Sequence, residues 1–327
     1  MPRSPQPRKA THIATLIPPG PVHRALSMAG KIMALLMVLA LIGALWPTSS
    51  GNAHTPNDTA NTTPPAAPIS ADGLAKLDFA FVNDPIWYDG QAEQADYDAT
   101  RSMYGQPRQY VARFFTNKEP YSPATATKAA GQGIEVFKFH VREDLPTKNY
   151  TYHYSTMAYV QTDDLSAVKL QMGSNEDCGA TFKEATLLGN LVAWRQSSYF
   201  PNEGVRQGSF DAGADLVFHD ALPLVLRGYP FADASDLKLR VVPEATTTHL
   251  SPVEPVDAVV RYVDRAAVKV PAGTIVAHQL EVAYPDGQTE RYWFDADPRT
   301  QHVMVQAETG VADYALRSVR RWAYWSE

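Results

Sequence analysis

Few residues in this chain stand at spacings that support chemistry, and the gaps are informative. A serine nucleophile on a strand-to-helix elbow needs glycine on both sides at the Gly-x-Ser-x-Gly spacing. Ser209 has only Gly208 beside it and sits in a strand-like run. A zinc-type site needs histidines or cysteines in pairs a turn apart or alternating along a strand. Beyond residue 53 the histidines are His54, His140, His153, His219, His249, His278 and His302, each isolated. His140 and His278 fall inside apolar runs, where the ring is expected to pack on a neighbour. Asn175-Glu176-Asp177 and Asp295-Ala296-Asp297 could hold calcium weakly, but acids so placed usually cap their own turn. The single cysteine, Cys178, rules out an intramolecular disulfide and reads as a small packed hydrophobe. Neither a Gly-x-x-x-x-Gly-Lys nor a Gly-x-Gly-x-x-Gly loop is present to cradle phosphate. The expectation is a non-enzymatic chain with no catalytic residue, no metal and no cofactor. A hydrolase would require remote acids such as Glu93, Asp96 or Asp295 to converge in one cleft.

What the chain has in surplus is aromatic residues on candidate strands. Trp87, Tyr152, Tyr154, Trp194, Trp293 and Trp322 are the candidates for lining a cavity around an apolar ligand. The competing reading is that the same residues simply fill a sheet interior.

These side chains must be positioned by strands. Ile134–Val141 is dense in β-branched and aromatic residues, and Tyr150, Tyr152 and Tyr154 recur with the two-residue period of one strand face. Further runs at Ala167–Met172, Thr181–Ala185, Leu191–Tyr199 and Val205–Phe210 are separated by Gly, Asn, Asp or Pro. Six more follow: Ala258–Asp264, Ala266–Val270, Thr274–Tyr284, Thr289–Asp295, Val303–Glu308 and Tyr314–Tyr324, with Asp286-Gly287 as a hairpin signal. Helix is expected only over Asp215–Arg227, interrupted by Pro223, with a weaker candidate at Asp98–Met103. The expected fold is mainly β: a large antiparallel curved sheet or incomplete barrel with one or two short helices. The Pro/Glu-rich stretch Pro243–Pro255 is its only internal seam and is read as a loop. Residues 74–327 therefore form one β-rich domain.

The N-terminus has a different character. Ile32–Trp46 is an uncharged apolar run preceded by Arg3, Arg8, Lys9, Arg24 and Lys31, with no acid before Asp58. That order is the pattern of an export segment, with Gly51-Asn52-Ala53 suited to cleavage after Ala53. The run is shorter than the roughly 20 residues of a spanning helix. Extension back through Ala25–Gly30 would make it an uncleaved anchor with its N-terminus inside. Residues 1–53 are thus a signal peptide or a membrane anchor. Residues 54–73, rich in Pro, Thr and Asn, are too polar to bury a core and read as a flexible linker. Cys178 lies too far from the apolar run for a lipidated N-terminus. The chain carries 29 Lys+Arg against 35 Asp+Glu, and the basic leader makes the exported remainder more acidic still. Such a surface disfavours nucleic acid and anionic headgroups.

Val268-Lys-Val-Pro-Ala-Gly-Thr-Ile-Val-Ala-His-Gln-Leu-Glu-Val282, then Arg291-Tyr-Trp-Phe-Asp295 and Tyr314-Ala-Leu316, resembles exported bacterial domains of unknown function. Those domains look like incomplete barrels of the LolA/LppX type, in which a curved sheet cups an apolar ligand. The stretch Trp87-Tyr-Asp-Gly-Gln-Ala-Glu93, with Tyr97 and Tyr104-Gly105, is similar to exported proteins sometimes labelled septum formation inhibitor Maf. The Ser-x-Ser-Pro-Arg-Arg motif of cytosolic Maf pyrophosphatases is missing, so that activity does not carry over. The resemblance spans about Trp87–Trp325 and rests on turn glycines and strand aromatics, so it implies a fold and no catalytic residue. It implies an exported periplasmic or inner-membrane-anchored protein that binds or carries a lipid or other apolar ligand. The alternative is a non-catalytic envelope scaffold on a flexible stalk, contacting a protein partner.

Overall fold

Alternation of buried and less buried residues starts within Ala92–Met103 and recurs along most of the strands that follow. It is the pattern of a sheet with one face turned inward. In the computed structural model, which describes residues 73–326, this pattern builds one curved, unclosed sheet. The signal or anchor segment, and the linker up to residue 72, lie outside the described residues. Among the described residues no helix is long and apolar enough to cross a membrane.

The first strands form a meander: β1 (Ala92–Met103), β2 (Gln106–Ser122) with the short β3 (Thr127–Lys128) at its end, β4 (Ile134–Pro146) and β5 (Thr151–Gln161). It continues through β6 (Ala167–Glu176), β7 (Gly179–Leu188), β8 (Leu191–Ser198) and β9 (Gly204–Asp211). The remainder comprises β10 (Leu216–Phe218), β11 (Leu237–Val242), β12 (Val256–Val270), β13 (Gly273–Ala283), β14 (Thr289–Asp295), β15 (Met304–Glu308) and β16 (Ala312–Trp322). β16 pairs antiparallel with β1, so the two runs join at the start and end of the domain. The free edges are β9 and β10, which are consecutive in sequence. Every pairing is antiparallel except β10 with β11.

Two segments occupy the concave side. Residues 219–228 coil as a 3-10 turn (His219–Ala221), a short helix α1 (Leu222–Val225) and a second 3-10 turn (Leu226–Gly228). Leu222, Leu224, Val225 and Leu226 are each 0–1% exposed and belong to one core cluster with Phe137, Tyr97, Leu280 and Phe294. Residues 243–255, between β11 and β12, form a strap without regular structure. The expected loop there is observed.

The mainly β architecture agrees with the sequence reading. Three local expectations need correction. Asp98–Met103 is strand, paired through Asp98–Arg101 with β16 and through Asp98–Met103 with β2, because tertiary pairing on both sides overrides its weak helical pattern. Ala258–Asp264 and Ala266–Val270 are one strand, β12, with a bulge between Tyr262 and Asp264. β1, β2, β3, β10 and β11 lie outside the expected strands, and β10 takes the start of Asp215–Arg227, where only Leu222–Val225 is α-helical.

Candidate functional site

The concave face places several charged residues in step with the core. On β1 the inward series Ala95, Tyr97, Ala99 ends in Arg101; on β4 Phe139 and Val141 lead to Glu143; on β14 Glu290 precedes Tyr292 and Phe294. These charges gather against the strap and the start of the 219–228 coil.

Arg101 is 4% exposed and holds the group together. Its Nη2 lies 3.3 Å from Glu143 and 3.2 Å from Glu244 of the strap, and its Nη1 donates to the Thr246 carbonyl at 2.9 Å. Tyr110 and Tyr314 both donate to Glu143 Oε1, at 2.7 and 2.8 Å. His219 Nε2 is 2.9 and 3.0 Å from the two oxygens of Glu290, which also accepts from Tyr284 at 3.2 Å and Tyr292 at 2.8 Å. Burial works against a charged imidazole, but Glu290 outweighs it and holds the His219 pKa at about 9. Burial raises Glu290 as well, and His219 reverses this, so its carboxyl stays below the ordinary value. Glu244 goes the other way: burial dominates the opposing Arg101 and His219, and its carboxyl rises to about 7.

The strap is held by hydrogen bonds drawn from across the sheet. Asp220 accepts from the backbone N–H of Ala245 and Thr246 at 2.9 and 3.1 Å. Lys183 donates to the Ala245 carbonyl at 2.8 Å and to Ser251 at 3.1 Å. Tyr154 bonds Thr248 at 2.8 Å, Thr156 bonds Thr246 at 2.6 Å, and Gln196 makes a reciprocal pair with the Ser251 backbone at 2.9 Å each way. A segment that lacks its own ladder must satisfy its backbone through such partners.

Beside the strap an open cleft of about 460 Å³ remains. Its apolar walls are Val241, Pro243, Pro252, Val256, Pro285 and Val311, and its polar groups are His219, Glu244, Tyr284, Asp286, Gln288 and Glu290. A small hollow of about 40 Å³ adjoins it, sharing His219 and Glu244 and reaching Glu143, Tyr292 and Tyr314. His219 Nδ1 and Glu244 Oε2 are buried without a hydrogen-bond partner. Two residues on the cleft's wall thus each carry a buried polar atom without a partner. A larger groove of about 580 Å³ lies on the outer face, walled by Asp98, Gln109, Gln306, Glu308, Asp313 and Arg317. Ala99, Val111, Ala307 and Ala315 line it as well, and Arg317 is paired with Asp98 at 2.6 Å.

The six aromatic candidates are distributed around the sheet. Tyr152 and Tyr154 are buried and stacked at 6.0 Å on the concave face. Trp87 is buried with its Nε1 donating to the Phe81 carbonyl at 2.6 Å, edge-on to Phe137. Trp194 lies over its cross-strand neighbour Gly208, where a Cβ would come within 2.9 Å of the ring. Trp293 is out of step with the inward Tyr292 and Phe294. Trp322, 39% exposed, donates to Gln94 at 2.9 Å under the Arg320 guanidinium. None of the six lines the 460 Å³ cleft.

Other sequence readings resolve individually. His140 and His278 pack on Phe115 and Phe231, as expected for strand histidines. Asp295 and Asp297 accept from backbone N–H two residues on, at 2.9 and 3.0 Å, again as expected. Cys178 is corrected: it sits exposed in the β6–β7 turn. Glu176 is no turn cap either, since it faces inward in step with Met172 and Ser174. Glu93, Asp96 and Asp295 stay apart. Glu93 is buried against Arg227 at 2.6 Å, Asp96 faces the other side of β1 beside Gln94, and Asp295 is occupied at its turn. Among the described residues no group of three or more His, Cys, Asp or Glu is placed to hold a metal ion.

No protein-family model, curated protein or solved structure matches the chain. The functional reading therefore rests on geometry.

Proposed function

We propose that this chain is a non-catalytic binding protein, exported by its N-terminal segment, that takes a small, mainly apolar ligand bearing a hydroxyl or amide group. The observation that carries this reading is the cleft beside the strap. Its volume falls within the range of about 300–1,000 Å³ usual for small-molecule sites. Apolar walls supply affinity through removal of surface from water. A hydroxyl or amide head can accept from His219 Nδ1 and donate to Glu244 Oε2, satisfying two buried groups that otherwise weaken the fold. Lipids with hydroxyl-bearing heads belong to this class, in keeping with the half-barrel resemblance.

Native mass spectrometry of the chain purified from its own envelope tests the reading. An adduct of one small organic molecule per chain is expected. A bare apo mass, with no uptake of hydroxyl-headed alkyl probes, would overturn it.

A second reading is supported by a separate observation. The β9 edge, exposed along nearly its whole length, is free to pair with another chain. An interaction module would use that edge and leave the cleft empty.

A further inference from the structure

Buried polar groups need partners, and those around the small hollow of about 40 Å³ can be followed one by one. The Tyr292 hydroxyl donates to Glu290 and that of Tyr314 to Glu143. The Thr309 hydroxyl donates to the Ala312 carbonyl and that of Thr246 to Asp220. Asp220 also accepts from the backbone N–H groups of Ala245 and Thr246. Three side-chain atoms on the residues lining the hollow are left over. They are Glu143 Oε2, Glu244 Oε2 and His219 Nδ1, each buried without a hydrogen-bond partner.

Each leftover atom has a definite polarity. Glu143 is 1% exposed, and its Oε1 already takes Tyr110 and Tyr314. Its Oε2 meets only Arg101 Nη2, at 3.3 Å, in an ion pair without a hydrogen bond. Glu244 gives Oε1 to the same guanidinium at 3.2 Å, and nothing donates to its Oε2. Both carboxylates are short of a donor. His219 is the reverse: Glu290 holds Nε2 and keeps the ring protonated, so Nδ1 carries a hydrogen without an acceptor. The hollow is only a little larger than the roughly 30 Å³ that one water molecule occupies. Within it, one acceptor and two donors are wanted.

Few head groups carry that set. A hydroxyl has a single donor and leaves one carboxylate unserved. A carboxylate has no donor and adds a like charge beside Glu143 and Glu244. An ammonium has donors only and sets a second cation against His219. A primary amide has one carbonyl oxygen and two N–H groups on one small planar unit. We propose that the cleft ligand ends in a primary amide, and that Glu143 sets the preference for it over an alcohol. Its carbonyl accepts from His219 Nδ1, and its NH2 group donates to Glu143 Oε2 and Glu244 Oε2. This rests on the reading of the cleft as a ligand site and names the head group selected there. The tail lies along the apolar walls of the cleft, which shares His219 and Glu244 with the hollow. An alcohol in the same place leaves Glu143 Oε2 without a donor, and a site built around a buried polar group rejects the analogue that fails to satisfy it.

Competition among decanamide, decanol, decylamine and N,N-dimethyldecanamide for the full chain, followed by native mass spectrometry, is the test. Decanamide should bind at least about tenfold more tightly than each of the others, the dimethyl compound having kept the acceptor and lost both donors. Glu143→Gln retains an acceptor for Tyr110 and Tyr314 but turns an NH2 group toward the hollow. It should cut the preference for decanamide over decanol to about threefold or less. A melting curve shows whether that variant folds, and the ranking on the unaltered chain stands without it. Equal affinity for decanamide and decanol overturns the proposal and leaves the cleft reading standing. Binding of none of the four overturns both.

Discussion

The coil of residues 219–228 and the strap of residues 243–255 fill the same concavity by opposite means. The coil does it with hydrocarbon: Leu222, Leu224, Val225 and Leu226 are each 0–1% exposed. The strap does it with polar bonds to its backbone and hydroxyls, each replacing one that would otherwise go to water. Apolar burial is additive and indifferent to direction, so the coil anchors the core globally. Hydrogen bonds contribute modestly in net terms and depend on alignment, so the strap is held locally and can be released locally. The cleft lies against the strap, on the side of the concavity that is easier to open.

Substitutions should reveal this asymmetry. The largest effect is expected at Arg227, at the end of the coil, which is 3% exposed and bonds Glu93 at 2.6 Å. Arg227→Met strands the Glu93 carboxylate in the interior and should cost about 3–5 kcal/mol in chemical denaturation. Leu222→Ala opens a cavity and should cost about 2–5 kcal/mol. Both should lower the protection of amides throughout the sheet in hydrogen exchange.

Asp220→Ala should cost less, about 1–3 kcal/mol, because it removes acceptors from Ala245 and Thr246 only. Faster exchange confined to the strap is the expected signature. A global loss equal to that of Leu222→Ala would break the distinction between coil and strap.

The smallest effect is a pH slope. His219 rises from 6.5 to about 9 on folding, and Glu244 from 4.5 to about 7. Both groups bind a proton more tightly when folded, so each contribution is complete below its unfolded pKa and lost as pH rises through its folded one. Lys183, lowered by burial to about 8, acts in the opposite sense from there upward. His140 and His278, lowered by burial to about 4, add stability as pH rises from there to about 6.5 and oppose Glu244 in that range. The melting temperature should therefore fall only between about pH 6.5 and 8. His219→Gln should flatten the part of that slope above about pH 6.5.

Sequence periodicity revealed the sheet where apolar and aromatic residues alternate, as in β5, β13, β14 and β16. It missed β1 because Glu93, Asp96 and Asp98 give Ala92–Met103 a polar look, although Ala95, Tyr97 and Ala99 face the core. It missed β2 because Pro107 and Pro120 interrupt the run near its two ends. The cleft was not legible, since His219, Glu244 and Glu290 come from three elements with no local spacing. A signal was nonetheless present: Arg101, Glu143, Glu176 and Glu290 each stand in step with the apolar face of a strand. A charge at such a position must find a partner, or wait for one. Aromatic type alone does not separate the two readings of Trp87, Tyr152, Tyr154, Trp194, Trp293 and Trp322, because strand formers and ligand-lining residues are the same types.

The central claim is that the cleft beside the strap binds an apolar molecule with a polar head. Native mass spectrometry with a hydroxyl-headed alkyl probe tests it most directly when the full chain is compared with Val311→Trp, which fills the cleft from an exposed wall, and with His219→Gln. One probe per chain should bind the unaltered protein, none should bind Val311→Trp, and His219→Gln should bind at least tenfold more weakly. Undiminished binding in Val311→Trp, or no binding to the unaltered chain, would contradict the account.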